Sequence, residues 1–182
     1  MFKRSFTFIE VVVVIGVISM LLPAIFGITF SIIKQQSRVY ALAEVKRQGD
    51  YVLSVMENLI RNNALEIYAA YPFSSIKCNE EGGEWSSADG TDFIFKDKNG
   101  SDFNFAIANN QIASNSSSLN INNLLTSAKV VITTPDNFIS CSKSTEFSST
   151  LITVNFKVAY DTLSNDTAFS MNYKTKFKML NY

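Results

Sequence analysis

Glu10 is the residue whose chemistry fits least well with its neighbours in the sequence. Phe8 and Ile9 precede it, and Val11–Ile33 follows without a charged residue. A carboxylate beside so apolar a segment is costly unless it is paired or faces protein, and such residues are commonly functional. The alternative is a carboxylate in the first turn of a helix, where the macrodipole favours negative charge.

Side chains that could perform catalysis or bind a metal are few. The sequence contains no histidine, which removes the commonest general base and metal ligand. Neither Cys78 nor Cys141 belongs to a C-x-x-C pair, so a zinc site is not expected. In an oxidising compartment these two cysteines could form one disulfide that closes a long loop.

Other patterns that suggest chemistry have simpler explanations. Asp97, Asn99 and Ser101 alternate like calcium ligands, but the loop lacks the later bidentate glutamate, so a hairpin turn is favoured. The sequence holds no G-x-S-x-G elbow and no glycine-rich phosphate loop. It therefore predicts no enzyme, no cofactor and no metal site.

The charge balance gives no support to nucleic-acid binding. The chain carries 16 basic and 16 acidic residues, whereas phosphate binding needs a concentrated positive field. Lys174, Lys176 and Lys178 alternate, which on a strand puts all three on one face. A solvated edge strand is the favoured interpretation of that pattern.

The apolar segment itself predicts a membrane-spanning helix. At about 1.5 Å per residue, Val11–Ile33 would extend roughly 34 Å, enough for a bilayer core of about 30 Å. Lys3 and Arg4 precede it, which favours a cytoplasmic N-terminus with the rest of the chain outside. The alternatives are a buried helix of a soluble protein and a cleaved signal peptide.

The residues Ser5-Phe6-Thr7-Phe8-Ile9-Glu10, followed by Val11-Val12-Val13-Val14-Ile15, resemble the processing motif of type IV pilins and type II secretion pseudopilins. The resemblance implies a leader of residues 1–5, cleavage between Ser5 and Phe6, and N-methylation of Phe6. Glu10 then becomes the fifth mature residue. The family strongly favours glycine where this chain has Ser5.

The same resemblance implies a filament subunit, and a minor pilin or minor pseudopilin more than a major subunit. In that family the new N-terminal amine, here that of Phe6, neutralises Glu10 of a neighbouring subunit. The implied partners are other pilin or pseudopilin subunits, a prepilin peptidase, the inner-membrane assembly machinery and, before assembly, membrane lipid. The implied location is first the membrane and then an extracellular or periplasmic filament.

The competing function is a single-pass, membrane-anchored extracellular binding or receptor domain that does not polymerise. Glu10 separates the two interpretations. A plain anchor has no use for a charge at that position beside Phe6.

The remaining pattern predicts an α+β chain with a long N-terminal helix packed against an antiparallel sheet. Residues 6–33 form the membrane and filament-core helix, with a kink at Pro23, and residues 34–71 continue it as an amphipathic helix. Tyr71-Pro72 should end the helix, because the residue before proline avoids the α region. Residues 72–182 form the antiparallel head.

Within the head, residues 74–91 are expected to be an irregular connection. The strand predictions are 92–96 and 102–107 as a hairpin around Asp97-Lys98-Asn99-Gly100, then residues 129–133, 151–160 and 168–179. The clearest strand is 151–160, where apolar and polar residues alternate.

Overall fold

The computed structural model describes residues 7–134, 136–161 and 169–179. Helix α1 spans Phe8–Asn63. The strands are β1 (Ala64–Tyr68), β2 (Ile76–Lys77), β3 (Glu84–Ser87), β4 (Ile94–Asp97), β5 (Asp102–Ala108), β6 (Gln111–Ser116), β7 (Ile121–Leu124), β8 (Val130–Thr133), β9 (Ile139–Ser142), β10 (Leu151–Tyr160) and β11 (Ser170–Lys178).

The chain divides into two compact units, Met1–Tyr40 and Ala41–Tyr182. Among the described residues, the strands of the second unit form two antiparallel sheets. One sheet has the order β2-β1-β4-β5-β6-β7, and the other has the order β11-β10-β9-β3, with β8 also paired to β10. The predicted α+β class, with a long N-terminal helix packed on antiparallel sheet, is confirmed.

The core of the second unit forms between one face of α1 and the inner faces of the sheets. Val45, Val52, Met56 and Ile60 recur at helical spacing and are fully buried. They share one hydrophobic cluster with apolar side chains of both sheets. In β10 the buried side chains are Ile152, Val154, Phe156 and Val158. The alternation predicted for 151–160 is therefore confirmed.

The predicted hairpin around Asp97–Gly100 is also confirmed. Strands β4 and β5 pair antiparallel, and an Asp97 carboxylate oxygen accepts the backbone N–H groups of Asn99 and Ser101, both at 2.8 Å. Gly100 has φ +82°, a backbone conformation that residues other than glycine rarely adopt. The alternating oxygens of this loop are thus accounted for by a turn.

The predicted end of the helix is wrong. Helix α1 ends at Asn63, and β1 occupies residues that were assigned to the segment 34–71. Strand β1 pairs with β2 on one side and β4 on the other, and it buries Ala64, Ile67 and Tyr68. Pairing on both edges outweighs local helical preference, and asparagine just before the junction is a weak helix former.

The segment 74–91 is less irregular than predicted. It contains β2 and β3, and β3 pairs with β9. Strands β7 and β9 were not predicted either. These four strands are only two to four residues long, so their sequences are too short for a period-two pattern to identify them.

Gly49 allows α1 to pack closely against β11. A Cβ atom at position 49 would overlap the Tyr173 ring, whose hydroxyl donates to the Lys46 carbonyl at 3.2 Å. Burial, together with nearby Asp50, raises the pKa of Tyr173 to about 12. The glycine that interrupts the apolar row of the helix therefore makes room for an aromatic ring.

Gly49→Ala is expected to destabilise the second unit by about 1–3 kcal/mol, because overpacking outweighs the roughly 1 kcal/mol that alanine gains in a helix. Denaturant unfolding of the detergent-solubilised chain measures the change. Gly27→Ala is the matched control, since that helical glycine has open space around it. If Gly49→Ala lowered the free energy of unfolding by the same amount in a Tyr173→Leu background, overlap with the Tyr173 ring could not be the cause.

Glu44 forms a polar cluster on the first helical turns of the second unit. The Arg47 guanidinium donates to its carboxylate at 2.7 and 3.0 Å, and the Gln48 amide donates at 2.8 Å. These hydrogen bonds, that of Arg47 first, lower the pKa of Glu44 to about 2. Gln48 also bonds Ser127, which ties α1 to the loop after β7.

This depressed pKa predicts a dependence of stability on pH. Ionised Glu44 contributes fully above its unfolded pKa of about 4.5, and the contribution is lost as the pH falls towards 2. Since Arg47 is largely exposed, we expect Glu44→Gln to cost only about 1 kcal/mol at pH 6 and close to nothing at pH 2. Urea unfolding at both pH values tests this, and an equal cost at both would refute it.

Candidate functional site: the N-terminal helix

The first part of α1 is long and apolar enough to cross a membrane. Every residue from Thr7 to Tyr40 is exposed in the single chain, including the whole uncharged run Val11–Ile33. Apolar surface of this extent is not stable in water, so it requires lipid or protein around it. This agrees with the predicted membrane-spanning segment at the level of length and composition.

Glu10 lies in the first turn of α1. The Thr7 carbonyl accepts the backbone N–H groups of Glu10 at 3.1 Å and Val11 at 3.3 Å, so Thr7 stands at the N-cap. The carboxylate is therefore close to the helix N-terminus, where the macrodipole favours it. The sequence placed Thr7 in the processing motif but did not identify it as an N-cap, although Thr-x-x-Glu is the spacing of a capping box.

The two roles of Glu10, stabilising its own helix N-terminus and forming an ion pair with another subunit, are compatible. A capping side chain stabilises its own helix end, whereas an ion pair needs a positive charge from elsewhere. The Glu10 side chain is exposed in the single chain. The predicted processing residues Ser5 and Phe6 lie outside the described residues, so the amine expected to pair with Glu10 is not placed.

Pro23 is accommodated without interrupting α1, which runs continuously from Phe8 to Asn63. Proline removes the backbone donor that the carbonyl four residues earlier would use, and membrane helices tolerate this where neighbours compensate. The side-chain hydroxyls of Ser19 and Thr29 donate to other carbonyls of this stretch, those of Gly16 at 2.9 Å and Ile25 at 2.8 Å, and not to the Ser19 carbonyl that Pro23 leaves without its helical donor. The kink predicted at Pro23 stays a prediction.

Cys78 and Cys141 are joined in a disulfide with a Cα–Cα distance of 6.2 Å. Cys78 follows β2, and Cys141 lies in β9, so the bond connects a segment beside one sheet to a strand of the other. Both cysteines are buried. Within the described part of the chain, no group of histidine, cysteine or acidic side chains could hold a metal ion.

Comparisons of this chain with protein-family models, with curated proteins and with solved structures find no match.

Proposed function

We propose that this chain is a structural, non-enzymatic subunit of a type IV pilus or a type II secretion pseudopilus, present as a minor component. The observation that carries the proposal is the first part of α1: a fully exposed apolar helix with a carboxylate in its first turn. The proposal also rests on the resemblance of residues 5–15 to the prepilin processing motif.

The apolar helix would have two roles, one before and one after assembly. Before assembly it holds the subunit in the membrane, with the N-terminus cytoplasmic and the second unit outside. After cleavage between Ser5 and Phe6, it leaves the bilayer and packs among the helices of other subunits. Apolar contacts replace lipid in that step, so the transfer costs little hydrophobic free energy.

Glu10 would set the register of each added subunit. An ionised carboxylate in a low-dielectric helix bundle is unfavourable unless an opposite charge and hydrogen bonds compensate. The amine of Phe6 on a neighbouring subunit supplies that charge. A subunit one turn out of register would leave both groups unpaired, so the ion pair selects a single axial position.

Shearing of filaments from cells tests this function. The full chain, carrying an epitope tag, is expressed in cells that assemble pili or pseudopili, and sheared filaments are labelled with immunogold. We expect sparse label on the filaments, as a minor subunit requires. Retention of all the tagged chain in the membrane fraction would contradict the proposal and favour the anchored receptor-like domain.

A further inference from the structure

The chain contains three Asn-x-Ser/Thr triplets, the sequence at which oligosaccharides are attached to asparagine in exported proteins. They begin at Asn99, Asn115 and Asn165. Such triplets are frequent by chance in a chain rich in asparagine and serine, so the spacing alone identifies no acceptor. An attached oligosaccharide is bulky and needs a surface position, most often in a loop. The structural surroundings of each asparagine therefore decide which triplet is usable.

Asn99 stands at the exposed tip of the β4–β5 hairpin. Lys98, Asn99 and Gly100 are all exposed, and a Cβ atom at position 100 would have open space around it. Two hydrogen bonds to the Asp97 carboxylate hold the backbone of this turn and do not involve the side chains of the triplet. Within the described part of the chain, the Asn99 amide and the Ser101 hydroxyl make no side-chain hydrogen bond. Neither group has to break a hydrogen bond before an enzyme binds it.

Asn115 has the opposite surroundings. It lies inside β6, opposite Asn104 of β5 and Asn122 of β7, so both edges of its strand are paired. Its side-chain oxygen Oδ1 is buried. A transferase reaches this triplet only after β6 has separated from its neighbours, and that opening costs free energy. Asn165 lies outside the described residues.

We propose that Asn99 is the acceptor for an N-linked oligosaccharide, which a membrane oligosaccharyltransferase transfers from a lipid-diphosphate carrier. The exposed turn favours Asn99 over the strand residue Asn115. In the reaction, the Asn99 amide nitrogen attacks the anomeric carbon of the first sugar. A C–N bond forms, and the bond from that carbon to the diphosphate oxygen breaks. The lipid diphosphate leaves with the electron pair, and the amide loses one proton to the enzyme.

Ser101 has a different part in the same step. Its hydroxyl is the recognition group of the triplet, so it hydrogen-bonds the enzyme and forms no covalent bond. Threonine at this position preserves that group, whereas alanine removes it.

The acceptor site rests on the proposed function only through location, because the second unit must lie outside the membrane where such transferases act. The anchored, receptor-like alternative requires the same location. The Cys78–Cys141 disulfide fits an oxidising compartment on that side. Loss of the filament function would therefore leave the acceptor site in place.

Glycosylation of the folded, oxidised full chain in detergent tests the site. The chain is incubated with lipid-linked oligosaccharide and an oligosaccharyltransferase that requires only the triplet, and glycopeptides are mapped by mass spectrometry. Asn165→Gln is present in every chain, so the signal comes from Asn99 or Asn115. We expect modification of Asn99, with Asn115 at least about tenfold slower because β6 must open first.

Synthetic peptides of residues 94–104 and 110–120 separate the effect of the fold from the preference of the enzyme. Each peptide contains one triplet without its strand partners. The ratio of the two peptide rates normalises the ratio measured in the chain. Selection of Asn99 that remains after this normalisation comes from the structure.

Substitutions identify the groups involved. Asn99→Gln and Ser101→Ala should abolish the modification, and Ser101→Thr should retain it. Ser117→Ala is the matched control, since it removes the hydroxyl of the Asn115 triplet and should leave the yield unchanged. A general disturbance of the hairpin would lower the yield of Ser101→Thr as well as that of Ser101→Ala.

An unmodified Asn99 in the folded chain overturns the proposal, as does equal normalised modification of Asn99 and Asn115. The same chain is also expressed in cells whose oligosaccharyltransferase acts only outside the cytoplasm, where we expect glycosylated Asn99. A chain that is modified in detergent but not in these cells would contradict the outside location of the second unit, and with it the proposed function, while the acceptor site stands.

Discussion

Glu10→Leu is expected to abolish incorporation into filaments while leaving membrane insertion at the wild-type level. Leucine removes the carboxylate and leaves the Phe6 amine of the neighbouring subunit unpaired in a low-dielectric bundle. Removing one partner of a buried ion pair costs about 3–5 kcal/mol. That cost lowers the equilibrium constant for adding a subunit to the filament by roughly a hundredfold or more. Insertion is unaffected because a more apolar segment partitions into lipid at least as well.

The measurement is the ratio of tagged chain in sheared filaments to tagged chain in the membrane. Glu57→Leu is the matched control, since Glu57 lies on the same helix and pairs only with the exposed side chain of Arg61 among its described contacts. Glu10→Gln separates the two roles of the residue, because glutamine preserves a capping box but carries no charge. Incorporation of Glu10→Gln at the wild-type level would show that capping suffices and that no ion pair operates.

Loss of the Cys78–Cys141 disulfide is expected to produce the largest change in the stability of the second unit. The cysteines are 63 residues apart in sequence, and a cross-link closing a loop of that length restricts the unfolded chain by about 4 kcal/mol. For a unit of this size, we expect the unfolding temperature of Cys78→Ala/Cys141→Ala to fall by roughly 10–15 °C.

Near-ultraviolet circular dichroism of the detergent-solubilised chain follows this unfolding, with half-buried Trp85 next to the bond as the probe. Chemical reduction of the wild-type chain should give the same decrease and should leave the double variant unchanged. Intact mass before and after alkylation reports the bond in the exported protein. Free thiols there, or an unfolding temperature unaffected by reduction, would contradict a stabilising disulfide.

Periodic segments of the fold could be predicted from the sequence because their pattern is local. In β10, alternation from Ile152 to Val158 identifies both the strand and its buried face. The end of α1 at Asn63 could not be predicted in the same way, since β1 owes its conformation to pairing with β2 and β4. Those partners lie further along the chain, and no local pattern indicates the pairing.

The same distinction between local patterns and long-range pairing applies to the candidate site. Glu10 and the apolar run after it are neighbours in sequence, so their relation could be predicted from spacing alone. The proximity of Cys78 and Cys141, by contrast, could not be settled from spacing, because it depends on where β9 lies in its sheet.

The central claim is that the chain is processed into a filament subunit, and the structure of the mature N-terminus tests it most directly. Intact mass and N-terminal sequencing are measured on the chain expressed with and without a prepilin peptidase. We predict a start at methylated Phe6 only when the peptidase is present, which would also show that Ser5 is accepted before the cut. An unprocessed Met1 start under both conditions would contradict the account and leave the helix as a permanent anchor.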